Sequence, residues 1–134
     1  MTGGAEGPPA RLSVLVCDDD PMIRHALCEM FGEEPDLEVV AVARDTDEAI
    51  ALAERHTPAV AVLDVRMPGG GGARAAREIG SRSPGTRILA FSAYGNAGTA
   101  DEMRRAGAAG YLLKGAPNAE ILAAVRRLGR PGAR

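Results

Sequence analysis

The feature that most constrains this chain is a carboxylate at the end of a short apolar run, Asp64 in the segment Pro58-Ala59-Val60-Ala61-Val62-Leu63-Asp64. A run of this kind, rich in β-branched residues, is typical of a parallel strand that is buried on both faces. The proline and glycines at positions 68–72 prevent the strand from continuing. Because open parallel sheets bind ligands at the carboxyl ends of their strands, we predict that Asp64 faces a functional site.

Three further strand-like segments also end in polar side chains, so four strand ends share one kind of chemistry. The polar residues are Asp18 and Asp19 after residues 12–17, Asp64, Ser92 after residues 86–91, and Lys114 after residues 109–113. Carboxylates, a hydroxyl and a lysine at one edge of a sheet suit a divalent cation and a phosphoryl group. The alternative is that the acids only cap a helix or end a strand by chance, and this accounts poorly for all four ends.

Strand and helix patterns alternate along the chain, which indicates βα units and a parallel sheet. The predicted strands cover residues 12–17, 37–42, 58–64, 86–91 and 109–113. The predicted helices begin at Pro21, run to about His56 from a cap at Asp45, cover residues 73–80 and 95–107, and begin again at Pro117. The fold class is therefore α/β, a flavodoxin-like doubly wound five-stranded parallel sheet of order 2-1-3-4-5 with five helices.

The length of 134 residues suits one domain. We predict a disordered segment at residues 1–11, the domain at 12–128, and a C-terminal tail or linker start at 129–134. The net charge of −2 gives no general attraction to nucleic acid or anionic membranes. No apolar run reaches the roughly 18 residues of a membrane span, and the N-terminus does not resemble a signal peptide. With Cys17 and Cys28 interpreted as free thiols, these features indicate a cytoplasmic protein.

The predicted strand order makes the first and third strands neighbours, so Asp18, Asp19 and Asp64 should converge. Each carboxylate pair at about 4 Å would repel by roughly 4 kcal/mol at an effective dielectric constant near 20. Oxygen ligands without His or Cys favour Mg²⁺. Asp64 could then attack a phosphorus atom, with the metal and Lys114 neutralising the phosphoryl oxygens and Ser92 donating a hydrogen bond.

From Leu12 to Leu128 the chain resembles the receiver domain of two-component response regulators. The resemblance rests on four motifs with matching spacing. They are the acidic pair in Val16-Cys17-Asp18-Asp19-Asp20-Pro21, the phosphoacceptor segment Leu63-Asp64-Val65-Arg66-Met67-Pro68, the switch residue in Phe91-Ser92-Ala93, and the aromatic and lysine of Tyr111-Leu112-Leu113-Lys114.

The resemblance implies that Asp64 is the phosphoacceptor. It implies direct Mg²⁺ ligation by Asp19, Asp64 and the backbone carbonyl of Arg66, with Asp18 acting mainly through water. A receiver domain is a phosphoacceptor switch that catalyses only its own phosphoryl transfer and dephosphorylation, in which Lys114 would take part. The expected phosphodonor is a sensor histidine kinase.

Ser92 and Tyr111 are the switch residues that the resemblance implies, acting on a surface formed by the fourth helix, fifth strand and fifth helix. A homodimer formed on phosphorylation is a further expected partner. The stretch Lys114-Gly115-Ala116-Pro117 has no proline directly after the lysine, which is similar to the NarL/FixJ-like subfamily. Members of that subfamily usually continue into a helix-turn-helix domain. We therefore expect transcription regulation, with DNA bound only through a C-terminal domain that these 134 residues lack.

The glycine run at positions 69–72 departs from the family pattern, which usually has Asp or Asn at position 71 and a large apolar residue at position 73. Glycines offer no side chains to pack. We predict a mobile loop that delays the next helix to about Ala73 and opens the site to water. Gly→Ala at a compatible position should then stabilise the protein. Simple drift at a tolerant loop is equally open.

Two other functions fit parts of the pattern. A Mg-dependent phosphohydrolase would also use an aspartyl nucleophile, but hydrolases of the haloacid type generally place a second Asp two residues later, where this chain has Arg66. A flavodoxin-like cofactor-binding module would share the fold. Its flavin site would favour a hydroxyl-rich phosphate loop and flanking aromatics, and the predicted strand ends lack both.

Overall fold

The computed structural model describes residues 11–93 and 95–130 and contains five strands and five helices in strict alternation. The strands are β1 Leu12–Cys17, β2 Leu37–Ala43, β3 Val60–Asp64, β4 Arg87–Ser92 and β5 Gly110–Leu113. The helices are α1 Pro21–Gly32, α2 Thr46–His56, α3 Gly71–Arg82, α4 Ala97–Arg105 and α5 Asn118–Gly129. The strands form one parallel sheet of order β2-β1-β3-β4-β5, which confirms the predicted fold class.

Helices cover both faces of the sheet, and the side chains of the central strand alternate between the two resulting cores. In β3, Ala61 and Leu63 join the core beneath α2, α3 and α4, while Val60 and Val62 join the core beneath α1 and α5. All five β3 residues are buried. A strand enclosed in this way has little freedom to shift, so it fixes the position of the carboxylate at its end.

Local chemistry explains where the first two helices begin. The carboxylate of Asp20 accepts a hydrogen bond from the backbone N–H of Met22, and Pro21 occupies the first helical position of α1. Asp45 caps α2 in the same way by accepting from the N–H of Glu48. Both caps were predicted from the sequence.

Helix α3 is longer than predicted at both ends. This helix begins at Gly71 and not at about Ala73, and it continues to Arg82. Other boundaries differ by one or two residues: β4 includes Ser92, α4 is shorter than the predicted span, and Pro117 precedes the first residue of α5.

Helix α5 runs to Gly129, one residue into the predicted tail. The predicted disordered segment lies outside the described residues except for Arg11, and so do tail residues 131–134. None of the helices in the described part combines the length and apolar character needed to cross a bilayer.

Candidate functional site

Strand register brings the four polar strand ends together at one edge of the sheet. Cys17 of β1 pairs with Leu63 of β3, so Asp18 and Asp64 emerge side by side. Ser92 of β4 pairs with Leu113 of β5, and the next residue is Lys114. The Lys114 backbone N–H donates to the carbonyl of Ser92 at 2.7 Å, which fixes where the lysine leaves the sheet.

Three carboxylates converge at this edge. Ligand oxygens of Asp18, Asp19 and Asp64 all lie within 4.8 Å of one another. Asp18 and Asp64 are 1% and 4% exposed, whereas Asp19 is exposed to solvent. The cluster is therefore buried on the sheet side and open on one side, as a site that admits a ligand must be.

Lys114 bridges the two buried acids. Its Nζ lies 2.7 Å from Oδ2 of Asp18 and 3.2 Å from Oδ1 of Asp64. Burial lowers the pKa of this ammonium, but hydrogen bonding to Asp18 and the charges of both carboxylates outweigh that effect and raise it. The ammonium therefore stays charged at neutral pH. Lys114 is also the only lysine in the sequence; all the other basic side chains of the Lys/Arg type are arginines.

The electrostatics of Asp64 show how strained the acidic cluster is. Burial, followed by the nearby charge of Asp18, raises the pKa of Asp64 to about 6. The backbone N–H of Arg66, which donates to Oδ1 of Asp64 at 3.2 Å, and the charge of Lys114 act in the opposite direction. One lysine thus compensates only part of the repulsion among three acids.

The residues present fit a divalent cation. Oδ2 of Asp18 is buried, and the Lys114 ammonium pairs with it at 2.7 Å. Three carboxylates that share one lysine leave a pocket with excess negative charge and only oxygen ligands, which suits a hard cation or a water bound to one.

Comparison with known proteins identifies the family. Residues 14–126 match the family described as "Response regulator receiver domain". The chain belongs to this family. Receiver domains of this kind are the phosphorylation-activated switches of two-component signalling systems, and they generally bind Mg²⁺ at an acidic pocket. The phosphohydrolase alternative is not favoured.

Individual relatives agree with this assignment. The chain is 37% identical to the DNA-binding transcriptional activator DevR/DosR of Mycobacterium tuberculosis over 122 residues, which cover 88% of this chain and 54% of that protein. It is also 37% identical over 117 residues to the probable transcriptional regulatory protein NarL of the same species, covering 87% of this chain and 54% of NarL. The chain thus spans about half the length of the curated relatives it matches.

Solved structures support the same conclusion. The signal receiver domain of the putative response regulator NarL from M. tuberculosis superposes with a TM-score of 0.88 at 35% identity, covering 92% of this chain and 99% of that one. A LuxR-family two-component response regulator from Aurantimonas sp. SI85-9A1 gives a TM-score of 0.84 at 32% identity, covering 90% and 86%. These neighbours confirm the assignment to a NarL-like receiver fold.

The two predicted switch residues of the receiver occupy different environments. Ser92 is 1% exposed and lines the acidic cleft beside Asp64 and Lys114. Tyr111 is half-buried on β5, where it packs against the core and lines a cavity of about 190 Å³ together with Met103 of α4. Ser92 and Tyr111 lie on the adjacent strands β4 and β5, where Tyr111 pairs with Ala90. A movement of Ser92 would therefore reach Tyr111 through these paired strands.

Three residues at this site were not predicted from the sequence. Asp20, interpreted only as a helix cap, also lines the cleft. Arg24 reaches back from α1, and its Nη1 donates to the backbone carbonyl of Asp18 at 2.9 Å. Thr46 at the start of α2 contacts the loop after Asp64. Arg24 follows Asp20 by one helical turn, which is a detectable signal, whereas Thr46 is brought in only by the tertiary fold.

Proposed function

We propose that this receiver accepts a phosphoryl group on Asp64 and uses it to change the surface around α4, β5 and α5. The observation that carries the proposal is the bridging position of Lys114 between Asp18 and Asp64. A buried carboxylate that faces a fixed ammonium and lies beside a cation site has what phosphoryl transfer requires: a nucleophile and charge compensation for the incoming oxygens.

The donor set of the cation site suits a hard divalent cation such as Mg²⁺, because it offers only oxygen ligands. We assign direct ligation to Asp19, Asp64 and the backbone carbonyl of Arg66, with Asp18 acting through a water molecule. When bound, Mg²⁺ supplies charge neutralisation for the phosphoryl oxygens. The proximity of the three Asp side chains supports this assignment.

In the transfer step, a carboxylate oxygen of Asp64 forms a bond to phosphorus while the bond from phosphorus to the donor breaks. The leaving group departs with that electron pair, and Asp64 becomes an acyl phosphate. Lys114 pairs with a phosphoryl oxygen, which means that its Nζ gives up part of its present contact with Asp64. Ser92, buried in the same cleft, donates a hydrogen bond from its hydroxyl to another phosphoryl oxygen.

The partners follow from the family and from the relatives. We propose a sensor histidine kinase as the phosphodonor and action in the cytoplasm. We also propose that the chain belongs to a transcription regulator, in which a DNA-binding domain outside these 134 residues contacts DNA and the phosphorylated receiver forms a homodimer. The names of the relatives DevR/DosR and NarL support the transcriptional role.

Intact-mass measurement tests the phosphoacceptor. Incubation with acetyl phosphate and Mg²⁺ should add one phosphoryl group to the wild type and none to Asp64→Ala. Asp101→Ala, which removes an exposed acid on α4, is the matched control and should be labelled normally. Equal labelling of Asp64→Ala and wild type would refute the assignment.

Titration with Mg²⁺ tests the ligand assignment separately. Asp19→Ala should weaken Mg²⁺ binding more than Asp18→Ala, since only Asp19 is assigned direct contact. Equal affinities for the two variants, or wild-type affinity in both, would contradict the assignment.

A further inference from the structure

The loop after Asp64 is held in place from outside by the first turn of α2. The backbone N–H of Thr46 donates to the carbonyl of Pro68 at 3.0 Å, and its hydroxyl donates to the carbonyl of Gly71 at 3.3 Å. Thr46 is fully buried. Two successive parts of the loop thus depend on one residue that is distant in sequence.

The same corner of the fold also contacts the segment that carries the acidic pair. The carbonyl of Ala43, at the end of β2, accepts from the backbone N–H of Asp18 at 3.1 Å. The turn between β2 and α2 therefore touches both acid-bearing segments, one through Ala43 and the other through Thr46. Any shift of this turn would change the distance between them.

A second contact fixes the middle of the loop. Nη1 of Arg74 donates to the carbonyl of Gly69 at 2.7 Å and pairs with the carboxylate of Asp47 at 2.9 Å. Asp47 belongs to the same first turn of α2 as Thr46. Three loop carbonyls, those of residues 68, 69 and 71, are thereby tied directly or through Arg74 to the start of α2.

The loop is also closed at its base. The backbone N–H of Gly72 donates to the carbonyl of Val65 at 2.8 Å, and the N–H of Val65 donates to the carbonyl of Phe91 at 3.2 Å. Arg66, whose carbonyl is assigned to the cation, therefore lies between an anchored Val65 and a Pro68 anchored by Thr46. Its carbonyl can keep a fixed direction only while both anchors hold.

We propose that Thr46 is a positioning residue for phosphoryl transfer, which sets the Arg66 carbonyl and the Asp64 carboxylate in the geometry the cation requires. This inference rests on the proposed function of Asp64. The proposal also gives the glycine run a role, which is to let the loop pass close to Thr46. A β-carbon on Gly69 would lie 3.3 Å from Cβ of Thr46. The run forms a clamped loop whose shape depends on α2.

Substitutions at Thr46 test the proposal because they separate the hydroxyl from the shape. Thr46→Val keeps the shape and the N–H but removes the hydroxyl, whereas Thr46→Ser keeps the hydroxyl. Thr86→Val is the matched control: Thr86 is also buried, and its hydroxyl donates to the carbonyl of Pro58 at 2.6 Å, away from the acidic cluster.

In metal-free protein, Thr46→Val should speed amide exchange at Gly72 by about fivefold, the factor that corresponds to one neutral hydrogen bond. Mg²⁺ affinity and the labelling rate with acetyl phosphate should fall by about the same factor. Thr46→Ser should restore all three quantities, and Thr86→Val should leave them at the wild-type level. Thr46→Val with wild-type exchange, Mg²⁺ affinity and labelling would overturn the positioning role.

A second variant and the Asp64→Ala labelling result complete the test. If Thr46→Val fails to fold, Arg74→Met removes the Gly69 contact from the exposed side, and an unchanged Mg²⁺ affinity in that variant would count against the clamp. Failure of the proposed function would appear differently, as labelling of Asp64→Ala at the wild-type level. The positioning role alone fails if labelling requires Asp64 but is indifferent to Thr46.

Discussion

Gly72 lies so close to Asp64 that no other residue fits: a β-carbon on Gly72 would lie 2.8 Å from the carbonyl oxygen of Asp64 and 2.8 Å from Cα of Val65. Both obstacles are backbone atoms at the end of β3, which is buried and cannot yield. The start of α3 therefore packs directly against the strand end that carries the candidate phosphoacceptor.

Gly72→Ala should consequently destabilise the protein by about 1–3 kcal/mol, the usual cost of overpacking. Gly80→Ala is the matched control in the same helix. A β-carbon there meets nothing within 4 Å, so the change should stabilise by about 0.5–1 kcal/mol through helix propensity. Urea denaturation measures the free energy of unfolding of both variants. A Gly72→Ala protein as stable as the wild type would contradict the close-packing argument.

The other three glycines of the run give no stabilising site either. Gly69, Gly70 and Gly71 have φ of 96°, 114° and 82°, a region that favours glycine. The sequence-based expectation of a compatible position for Gly→Ala is therefore wrong for this run. A β-carbon on Gly70 would also lie 2.7 Å from Cδ of Arg74. The mobility of the loop stays a prediction.

Asp64→Asn should stabilise the metal-free protein by about 1–2 kcal/mol at pH 7.5, because it removes a buried charge beside Asp18. The folded-state pKa of Asp64 is raised from 3.8 to about 6. Its contribution to wild-type stability is thus fully present below about pH 3.8 and is lost as the pH rises to about 6. The advantage of Asn should be largest above pH 6 and should shrink on acidification towards pH 4.

Denaturation in EDTA at pH 4.5 and pH 7.5 measures this difference. Glu38→Gln is the control: it removes one negative charge from an exposed position on β2 and should not reproduce the stabilisation of Asp64→Asn. Added Mg²⁺ should reverse the order by stabilising the wild type more than Asp64→Asn. An Asn variant that is less stable than wild type at pH 7.5 without metal would contradict the charge-repulsion argument.

Lys114→Met should separate metal binding from phosphorylation. Removing a cation 2.7 Å and 3.2 Å from the two buried acids leaves a more negative pocket, so Mg²⁺ affinity should rise. The labelling rate with acetyl phosphate should fall by at least about tenfold, because a charge-assisted contact to the phosphoryl group is lost.

Lys114→Arg distinguishes charge from shape. A guanidinium keeps the charge but is planar and larger than the compact ammonium that contacts both carboxylates, so labelling should stay low. Recovery of wild-type labelling in Lys114→Arg would show that charge alone suffices. An unchanged labelling rate in Lys114→Met would remove Lys114 from the mechanism.

Phosphorylation should alter α4 more than α1. Helix α4 buries only one large side chain, Met103, and that residue borders the cavity beside Tyr111. Elements with few buried contacts are the cheapest to displace. Backbone NMR shifts with beryllofluoride and Mg²⁺ should therefore appear near Met103 and Tyr111 as well as in the acidic cleft, and Asp64→Ala is the control. Shifts confined to the cleft would argue against a switch.

The sequence by itself determined the fold class and the composition of the site. Strands and helix starts are signalled by neighbouring residues, namely short apolar runs and caps such as Asp45. All ten elements could therefore be predicted from the sequence. Parallel strands that end in Asp18, Asp64, Ser92 and Lys114 must bring those residues to one edge, because a doubly wound sheet places the carboxyl ends of its strands together.

Only the tertiary structure decided which residues surround the loop after Asp64. Four glycines taken alone indicate freedom, since conformational entropy is a local property of the chain. The fold fills the space around them with Thr46, Arg74 and the end of β3, and these neighbours are distant in sequence or folded back over the loop. A contact between residues 46 and 71 leaves no periodic trace in the sequence, so its effect on the site appears only once β2 and β3 are placed on either side of β1.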